Sequence, residues 1–139
     1  MAAVEFSHRM RVYIEDTDAG GIVYYVNYLK FMERARTEFM RSLGFGKDFI
    51  FNYDLMFVVR DVAVRYLLPA RLDDEVEATA VLAHLGGAAM VFHQSVRRGD
   101  QVLAQGKVTI ACVGRANVKP FRLPREMVER LQPLEQKDV

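Results

Sequence analysis

Cysteine is almost absent from the chain, since Cys112 is the only one among 139 residues. A single cysteine forms no intrachain disulfide, so we expect a reducing, cytoplasmic compartment. Cys112 lies in the apolar run 108–113, which favours a buried structural thiol over a nucleophile. The three histidines and this cysteine lie far apart, so no metal site is predicted.

The chain also lacks an excess of charge of either sign, with 19 Lys and Arg against 18 Asp and Glu. This balance argues against nucleic acid as a partner. No apolar stretch approaches the ~20 residues of a membrane span, and the N-terminus lacks the apolar core of a signal peptide. The length and the hydrophobic fraction of 51% predict one globular domain over residues 1–139.

One long helical pattern organises the chain, from residue 27 to residue 43. Its apolar residues recur at spacings of three and four, as in a helix with one buried face: Tyr28, Phe31, Met32, Ala35, Phe39, Met40 and Leu43. We expect Asn27 to act as the N-cap and Gly44 to end the helix in the left-handed conformation. The Met and aromatic residues of this stripe are interpreted as core packing.

Strand-like segments flank this helix. Residues 4–15 alternate in the manner of a strand, although His8 breaks the alternation. After the helix comes a connection whose apolar residues are expected to fold back on the core: Phe49, Ile50 and Phe51. The next segment, 56–66, predicts a strand interrupted at Arg60, with one face formed by Met56, Val58, Val62, Val64 and Tyr66.

Three further strands are predicted at residues 75–85, 88–98 and 101–113. Gly86-Gly87 and Gly99-Asp100 are hairpin signals between them, so the three form an antiparallel meander. Residues 124–131 predict a short terminal helix that begins at a proline. The sum is an α+β fold, a five-stranded antiparallel sheet wrapped around one long helix. Its long edge strands predict a homodimer or homotetramer.

Chemistry is expected in the turn before the helix, which carries Asp16, Asp18 and the pair Gly20-Gly21. Aspartate is common in turns because its side chain bonds the local backbone, and this alone would explain both acids. Three features favour a functional interpretation. Glycines let backbone approach a ligand, a helix N-terminus favours a developing oxyanion, and the apolar residues 22–26 would partly desolvate a carboxylate. A carboxylate beside a helix N-terminus suits the splitting of an acyl bond.

A long ungapped motif runs through this turn and helix: Tyr13-x-Glu15-Asp16-Thr17-Asp18-Ala19-Gly20-Gly21-Ile22-Val23-Tyr24, then Asn27-Tyr28, then Phe31-Met32-Glu33-Arg34-Ala35-Arg36, and later Arg65-Tyr66-Leu67-x-Pro69-Ala70. The motif resembles the signature of hotdog-fold acyl-CoA thioesterases, in the Tol–Pal-associated (YbgC-like) branch, and is similar to that of 4-hydroxybenzoyl-CoA thioesterase. The chain departs from the branch at Tyr25, where many members carry a histidine.

The resemblance implies a hotdog-fold acyl-CoA thioesterase without cofactor, since coenzyme A is part of the substrate. It implies Asp18 as the catalytic carboxylate, acting as nucleophile or general base, and the backbone N–H near Tyr25 as the group that polarises the carbonyl. Asp16 would support the turn. Substrate contacts are expected from Gly20, Gly21, Ile22, Val23 and Tyr24. The candidates for binding the coenzyme A phosphates are Arg60, Arg65, Lys107, Arg115 and Lys119.

Other functions stay open. A dehydratase of the same fold would use a histidine near the helix, and no histidine occurs between His8 and His84. A Ser-His-Asp hydrolase would need a nucleophile-elbow motif, which the sequence lacks. A non-catalytic module that binds acyl-CoA or acyl carrier protein would keep the fold with an unreactive Asp18. The family also admits acyl carrier protein as a donor or partner of the enzyme.

Overall fold

The computed structural model describes residues 5–136 of the chain. It contains five strands: β1 (Phe6–Arg11), β2 (Leu55–Tyr66), β3 (Glu75–Leu85), β4 (Ala89–Arg98) and β5 (Gln101–Gly114). It contains three α-helices: α1 (Asn27–Ser42), α2 (Lys47–Asn52) and α3 (Arg125–Leu131). Short 3₁₀ turns lie at Ile14–Asp16 and Gln132–Leu134.

The five strands form one antiparallel sheet in the order β1-β3-β4-β5-β2. Strands β3, β4 and β5 are the predicted meander, while β1 and β2 form the two edges. The predicted α+β architecture is therefore confirmed. Among residues 5–136, no helix is both long enough and apolar enough to cross a membrane.

Helix α1 packs its apolar stripe onto β3, β1 and β4. Phe31, Met32 and Ala35 have no exposed surface. The ring of Phe39 packs edge-on between Phe6 and Phe92, with ring centroids 5.9 and 5.7 Å away. This arrangement confirms that the stripe is core packing, because it buries apolar surface against the sheet.

The N-terminal end of α1 was predicted wrongly, and its C-terminal end was predicted correctly. Asn27 is not the N-cap, because it lies inside the first turn and its Nδ2 donates to the Asp16 carboxylate at 2.9 Å. Val26 occupies the cap position with a helical backbone and no side-chain cap. Gly44 follows the helix with a φ of +93°, as predicted, and its N–H donates to the carbonyl of Arg41 at 3.0 Å.

The first strand is shorter than the predicted segment 4–15. Val4 lies outside the described residues, and β1 ends at Arg11. The Tyr13 N–H donates to the Asp16 carboxylate at 2.8 Å, and the Asp16 N–H donates to the Tyr13 carbonyl at 2.9 Å. These two bonds turn the chain into the 3₁₀ segment, so apolar alternation past Arg11 does not continue the strand.

The predicted connection after α1 contains a short helix, α2. Phe49 and Ile50 pack partly buried against the core, as predicted. Phe51 does not, since 54% of its surface is exposed and the Arg115 guanidinium lies 4.4 Å from its ring centroid. Because a helix turns once in about 3.6 residues, three consecutive residues cannot all face the core.

Strand β2 carries a bulge at Arg60, because the register with β5 shifts between Val59 and Asp61. Before the bulge, Leu55 and Phe57 lie opposite Gly114 and Cys112. The extra residue reverses the alternation, so Met56 and Val58 lie on the opposite face from the other predicted members, Val62, Val64 and Tyr66. The interruption at Arg60 was visible in the sequence, but its effect on the faces was predicted wrongly.

Helix α1 leaves the β2 side of the sheet uncovered. Two neighbouring cavities of about 610 and 220 Å³ lie between α1 and β2 and share Glu33, Arg36 and Val59. We call them together the α1–β2 cleft. Val59 and Val62 remain 51% and 46% exposed on this side.

Candidate active site

The turn between β1 and α1 is built by its own backbone. The Asp18 N–H donates to the Ile22 carbonyl at 3.0 Å, and the Gly21 N–H donates to the Asp18 carbonyl at 3.1 Å. Gly21 has a φ of +80°, which a residue with a side chain adopts only with strain. The Gly20 N–H donates to Asp18 Oδ1 at 2.8 Å, so the backbone itself orients this carboxylate.

Asp16 has the supporting role that the resemblance implies. Its side chain is buried, with 5% exposed. One carboxylate oxygen accepts from the Tyr13 N–H and the other from Asn27 Nδ2. Asp16 therefore ties the start of the turn to the first turn of α1, and both its oxygens are occupied by the protein.

Asp18 is different, because its side chain is exposed in the single chain. The apolar residues 22–26 were expected to desolvate it. They do not in this chain, since Tyr24 and Tyr25 are themselves 46% and 59% exposed. Asp18 is thus an oriented carboxylate that faces solvent, with one oxygen held by Gly20.

The helix N-terminus next to this turn has free donors. The N–H of Tyr24 donates to the Asp16 carbonyl at 2.9 Å, and that of Asn27 donates to the Tyr24 carbonyl at 2.8 Å. Between them, the N–H groups of Tyr25 and Val26 have no acceptor among the residues of the described range. Such unpaired N–H groups at the positive end of a helix are suited to bind a carbonyl oxygen that gains negative charge.

Aromatic rings cluster beside these donors. Tyr25 lies with its ring centroid 5.0 Å from that of Tyr24 and 6.0 Å from that of Tyr66. The rings of Tyr28 and Tyr66 are 5.4 Å apart. Burial raises the pKa of the Tyr66 phenol, and the neighbouring Tyr25 and Tyr28 raise it further. These rings form an aromatic surface next to the helix N-terminus, on which an acyl group can pack.

The segment after β2 supports this region from behind. The Val23 N–H donates to the Ala70 carbonyl at 2.9 Å, and the Ala70 N–H donates to Tyr28 Oη at 2.9 Å. Ile22 forms a bridge with Arg71. Ala70 and Tyr66 belong to the sequence motif, but their contact with the turn was not predicted. Only the tertiary fold brings residues so far apart in the sequence into contact.

The predicted phosphate-binding residues are not gathered at the turn. Arg60 sits at the bulge of β2 beside Asp61, 3.3 Å from its carboxylate, and lies about 20 Å along the strand from Tyr66 at ~3.3 Å per residue. Arg65 and Lys107 follow the opposite sheet face from Tyr66. Arg115 covers Phe51 at α2. The predicted role of Arg60 in binding the coenzyme A phosphates therefore stays a prediction, because the single chain does not place Arg60 next to Asp18.

The histidines lie away from the turn. His8 is on β1 and His93 is in the middle of β4. His84 is exposed on β3, where its Nδ1 lies 3.5 Å from a carboxylate oxygen of Glu135. Within residues 5–136, no group of three or more His, Cys, Asp or Glu side chains is placed to hold a metal ion.

The family model of the thioesterase superfamily matches residues 20–105, which include the Gly20-Gly21 turn, α1 and the meander as far as the start of β5. The chain belongs to the thioesterase superfamily. It is similar to an acyl-CoA thioesterase YbgC of Haemophilus influenzae, with 41% identity over 123 residues, 88% of this chain and 90% of the relative. It is also similar to an acyl-CoA thioester hydrolase YbgC of Escherichia coli, with 40% identity over 124 residues, 88% of this chain and 92% of the relative.

A solved structure agrees with these relatives. The probable thioesterase from Bartonella henselae is 34% identical and superposes with a TM-score of 0.83, covering 87% of this chain and 100% of that one. The predicted hotdog-fold thioesterase, and with it the prediction of an enzyme, is confirmed by these matches.

Proposed function

We propose that this protein hydrolyses acyl-CoA thioesters to a carboxylic acid and free coenzyme A, with Asp18 as nucleophile or general base. One observation carries the proposal: an exposed, backbone-oriented carboxylate lies in the turn that leads to a helix N-terminus whose Tyr25 N–H is unpaired within the described chain. The YbgC relatives, named as acyl-CoA thioesterases, support the choice of substrate.

The chemistry follows from these two groups. As a general base, Asp18 takes a proton from water, the hydroxide attacks the thioester carbon, and the Tyr25 N–H stabilises the oxyanion. The C–S bond then breaks, and the coenzyme A thiolate recovers the proton. As a nucleophile, Asp18 forms a mixed anhydride and expels the thiolate, and water cleaves the anhydride. Both routes balance without a cofactor, so we propose that none is required.

The remaining predicted contacts belong to the same proposal. We propose that the thioester contacts the loop 20–24, which bonds Asp18 through the Gly20 N–H and the Ile22 carbonyl, although the side chain of Val23 is buried. Tyr25 packs with Tyr24 and Tyr66, which supports a packing role against the acyl group. Arg60 stays a candidate for the coenzyme A phosphates. A homodimer or homotetramer, acyl carrier protein as a further partner and a cytoplasmic location also remain predictions.

The test is thiol release from a panel of aliphatic and aromatic acyl-CoAs by wild type, Asp18→Asn and Asp100→Asn. Asp100 lies in the exposed turn between β4 and β5, so the last variant repeats the chemical change away from the site. We expect Asp18→Asn to lower kcat/KM by about 100-fold or more with unchanged thermal unfolding, since a general base alone contributes 10²–10⁴-fold. Asp100→Asn should match wild type.

Retention of full activity by Asp18→Asn would contradict the assignment of this carboxylate. A wild type that binds acyl-CoA and hydrolyses none of the panel would instead support the alternative, a non-catalytic module for acyl-CoA or acyl carrier protein. The exposure of Asp18 and a Tyr25 N–H that has no acceptor within residues 5–136 favour the enzyme, because a binding module has no need of an oriented carboxylate or of a carbonyl-binding donor.

A further inference from the structure

Tyr28 carries a hydroxyl into the apolar stripe of α1. The residue is 4% exposed, and its ring packs edge-on against that of Phe31, with 6.2 Å between the centroids. Its Oη accepts the Ala70 N–H at 2.9 Å. A phenylalanine would pack against the same rings, so what the hydroxyl adds at this position is its bond to Ala70.

Ala70 holds the part of the turn that follows Asp18. Ala70 has no exposed surface, and its carbonyl accepts the Val23 N–H at 2.9 Å. The neighbouring Ile22 carbonyl accepts the Asp18 N–H at 3.0 Å. Ala70 therefore lies between the hydroxyl of Tyr28 and the backbone that carries the Asp18 carboxylate.

These bonds connect the two groups to which the proposed chemistry is assigned. Tyr28 is fixed relative to Tyr25, because its N–H donates to the Tyr25 carbonyl at 3.3 Å in the first turn of α1. From Tyr28 the connection continues through Ala70 to the residues that bond Asp18. A shift of Ala70 would therefore change the position of the Asp18 carboxylate relative to the Tyr25 N–H.

The part of the turn that precedes Asp18 is held separately. The Asp16 carbonyl accepts the Tyr24 N–H at 2.9 Å, and the Asp16 carboxylate accepts from Asn27 Nδ2. Asp16 thus ties the chain before Asp18 to α1, and Ala70 ties the chain after it. Asp18 lies between the two ties, so both are needed to give its carboxylate one position.

We propose that the Tyr28 hydroxyl is a positioning group of this site, which holds Ala70 and thereby fixes the Asp18 carboxylate relative to the Tyr25 N–H. The inference rests on the proposed hydrolysis and requires no contact between Tyr28 and the substrate. A misplacement of reacting groups by about 1 Å can cost about 100-fold in rate, so a bond that fixes their separation affects kcat. A hydroxyl that only satisfies a buried N–H would affect stability and leave kcat unchanged.

The test compares Tyr28→Phe with Thr79→Val in thiol release from the best substrate of the acyl-CoA panel. Each variant removes a buried hydroxyl and the acceptor of a backbone N–H, since Thr79 Oγ1 accepts the Ser95 N–H at 2.9 Å. Thr79 is the matched control because it lies on β3 opposite Ser7, away from the turn.

We expect both variants to lower the midpoint of thermal unfolding and only Tyr28→Phe to lower kcat. The expected loss of kcat is about 10- to 100-fold, with KM within about twofold of wild type. Equal kcat values for the two variants, measured where circular dichroism shows both to be folded, would overturn the proposal. A higher KM with unchanged kcat would assign Tyr28 to substrate binding and would also overturn it.

A double-mutant cycle with Asp18→Asn separates positioning from general damage to the protein. If Tyr28 acts by placing the carboxylate, its hydroxyl loses this effect once the carboxylate is replaced. We therefore expect Tyr28→Phe to lower kcat by less than about threefold in the Asp18→Asn background, since residues that act as a unit are not additive. Full multiplication of the two single losses would contradict the proposed role.

Asp74 offers a second variant if Tyr28→Phe does not fold. Asp74 Oδ2 accepts the Arg71 N–H at 2.9 Å and pairs with Arg98 of β4 at 2.7 Å, so it holds the residue after Ala70 from the sheet. Asp74 is only partly buried. We expect Asp74→Ala to lower kcat by about 3- to 10-fold with unchanged KM, and a wild-type kcat would overturn the proposal.

Failure of the proposed function would look different from failure of this inference. A wild type without thioesterase activity, or Asp18→Asn with full activity, would refute hydrolysis by Asp18 and the role of Tyr28 with it. An enzyme that requires Asp18 and keeps its kcat in Tyr28→Phe would refute the role of Tyr28 alone.

Discussion

The helix-facing side of the sheet has two unlike halves. Over β1, β3 and β4, α1 buries large residues such as Phe31 and Phe92 with no exposed surface. Over β2, the α1–β2 cleft leaves Val59 and Val62 about half exposed. The first half supplies the stability of the single chain, because it removes the most apolar surface from water. The second half contributes little to that stability, and its exposed surface is available to bind a ligand or another chain.

The largest effect is expected in the covered half. Phe92→Ala removes a fully buried ring that packs edge-on against Phe39, so we expect a loss of about 3–5 kcal/mol in the free energy of unfolding. Val59→Ala in the open half should cost about 0.5 kcal/mol or less. Urea unfolding at low protein concentration measures both. Equal losses would break the comparison, and a loss for Val59→Ala that grows with concentration would show that the cleft is covered in solution.

Asp16 and Asp18 show the same contrast between a buried and an exposed site within one turn. Asp16→Ala leaves the Tyr13 N–H and the buried Asn27 amide without an acceptor, so we expect a loss of about 2–3 kcal/mol. Asp18→Ala changes an exposed side chain and should alter the free energy of unfolding by about 0.5 kcal/mol at most. Thermal and urea unfolding of both variants at pH 7 provide the measurement. A larger loss of unfolding free energy for Asp18→Ala than for Asp16→Ala would show that Asp18, and not Asp16, supports the turn.

Burial in the core should appear as a pH effect at Cys112. Burial raises the pKa of its thiol from 9.0 to about 11, so the unfolded chain releases this proton first as the pH rises. Stability from the neutral thiol is therefore complete below pH 9 and is lost progressively towards pH 11, by about 2 kcal/mol.

The measurement for Cys112 is urea unfolding of wild type and Cys112→Ala at pH 8 and pH 10.5. We expect the stability of wild type relative to the variant to fall between these two values. Parallel stabilities at both would show that the thiol is not held in an apolar environment.

The smallest loss of stability is expected at Gly21, where the strain of the backbone conformation, and not the burial of a side chain, decides the effect. Gly21→Ala introduces a side chain at a φ of +80°, although nothing lies within 4 Å of the new atom, so we expect a loss of about 1 kcal/mol. Gly87→Ala has equal space and no positive φ, and should cost nothing measurable. Thermal unfolding of the two variants gives the comparison. Equal stabilities would mean that the turn relaxes without strain.

Local patterns in the sequence predicted the local structure well. The spacing of apolar residues identified α1, the hairpin signals Gly86-Gly87 and Gly99-Asp100 located the meander, and the motif around Asp18 indicated the superfamily. These features depend on neighbours within a few positions, so a single sequence contains the information. The failures came where a side chain has a distant partner. Asn27 suited an N-cap by residue type, but the Asp16 carboxylate, bent back by the 3₁₀ turn, binds it inside the helix.

The sequence by itself determined the fold class, the superfamily and the position of the candidate carboxylate. Only the tertiary structure decided which aspartate is buried, how Tyr66 joins the turn, and that Arg36 is buried against Gln94. The bulge at Arg60 shows the reason. The pairing of β2 with β5 leaves Arg60 as an extra residue between Val59 and Asp61. Beyond this residue, each side chain of β2 points to the opposite face from the one that simple alternation predicts.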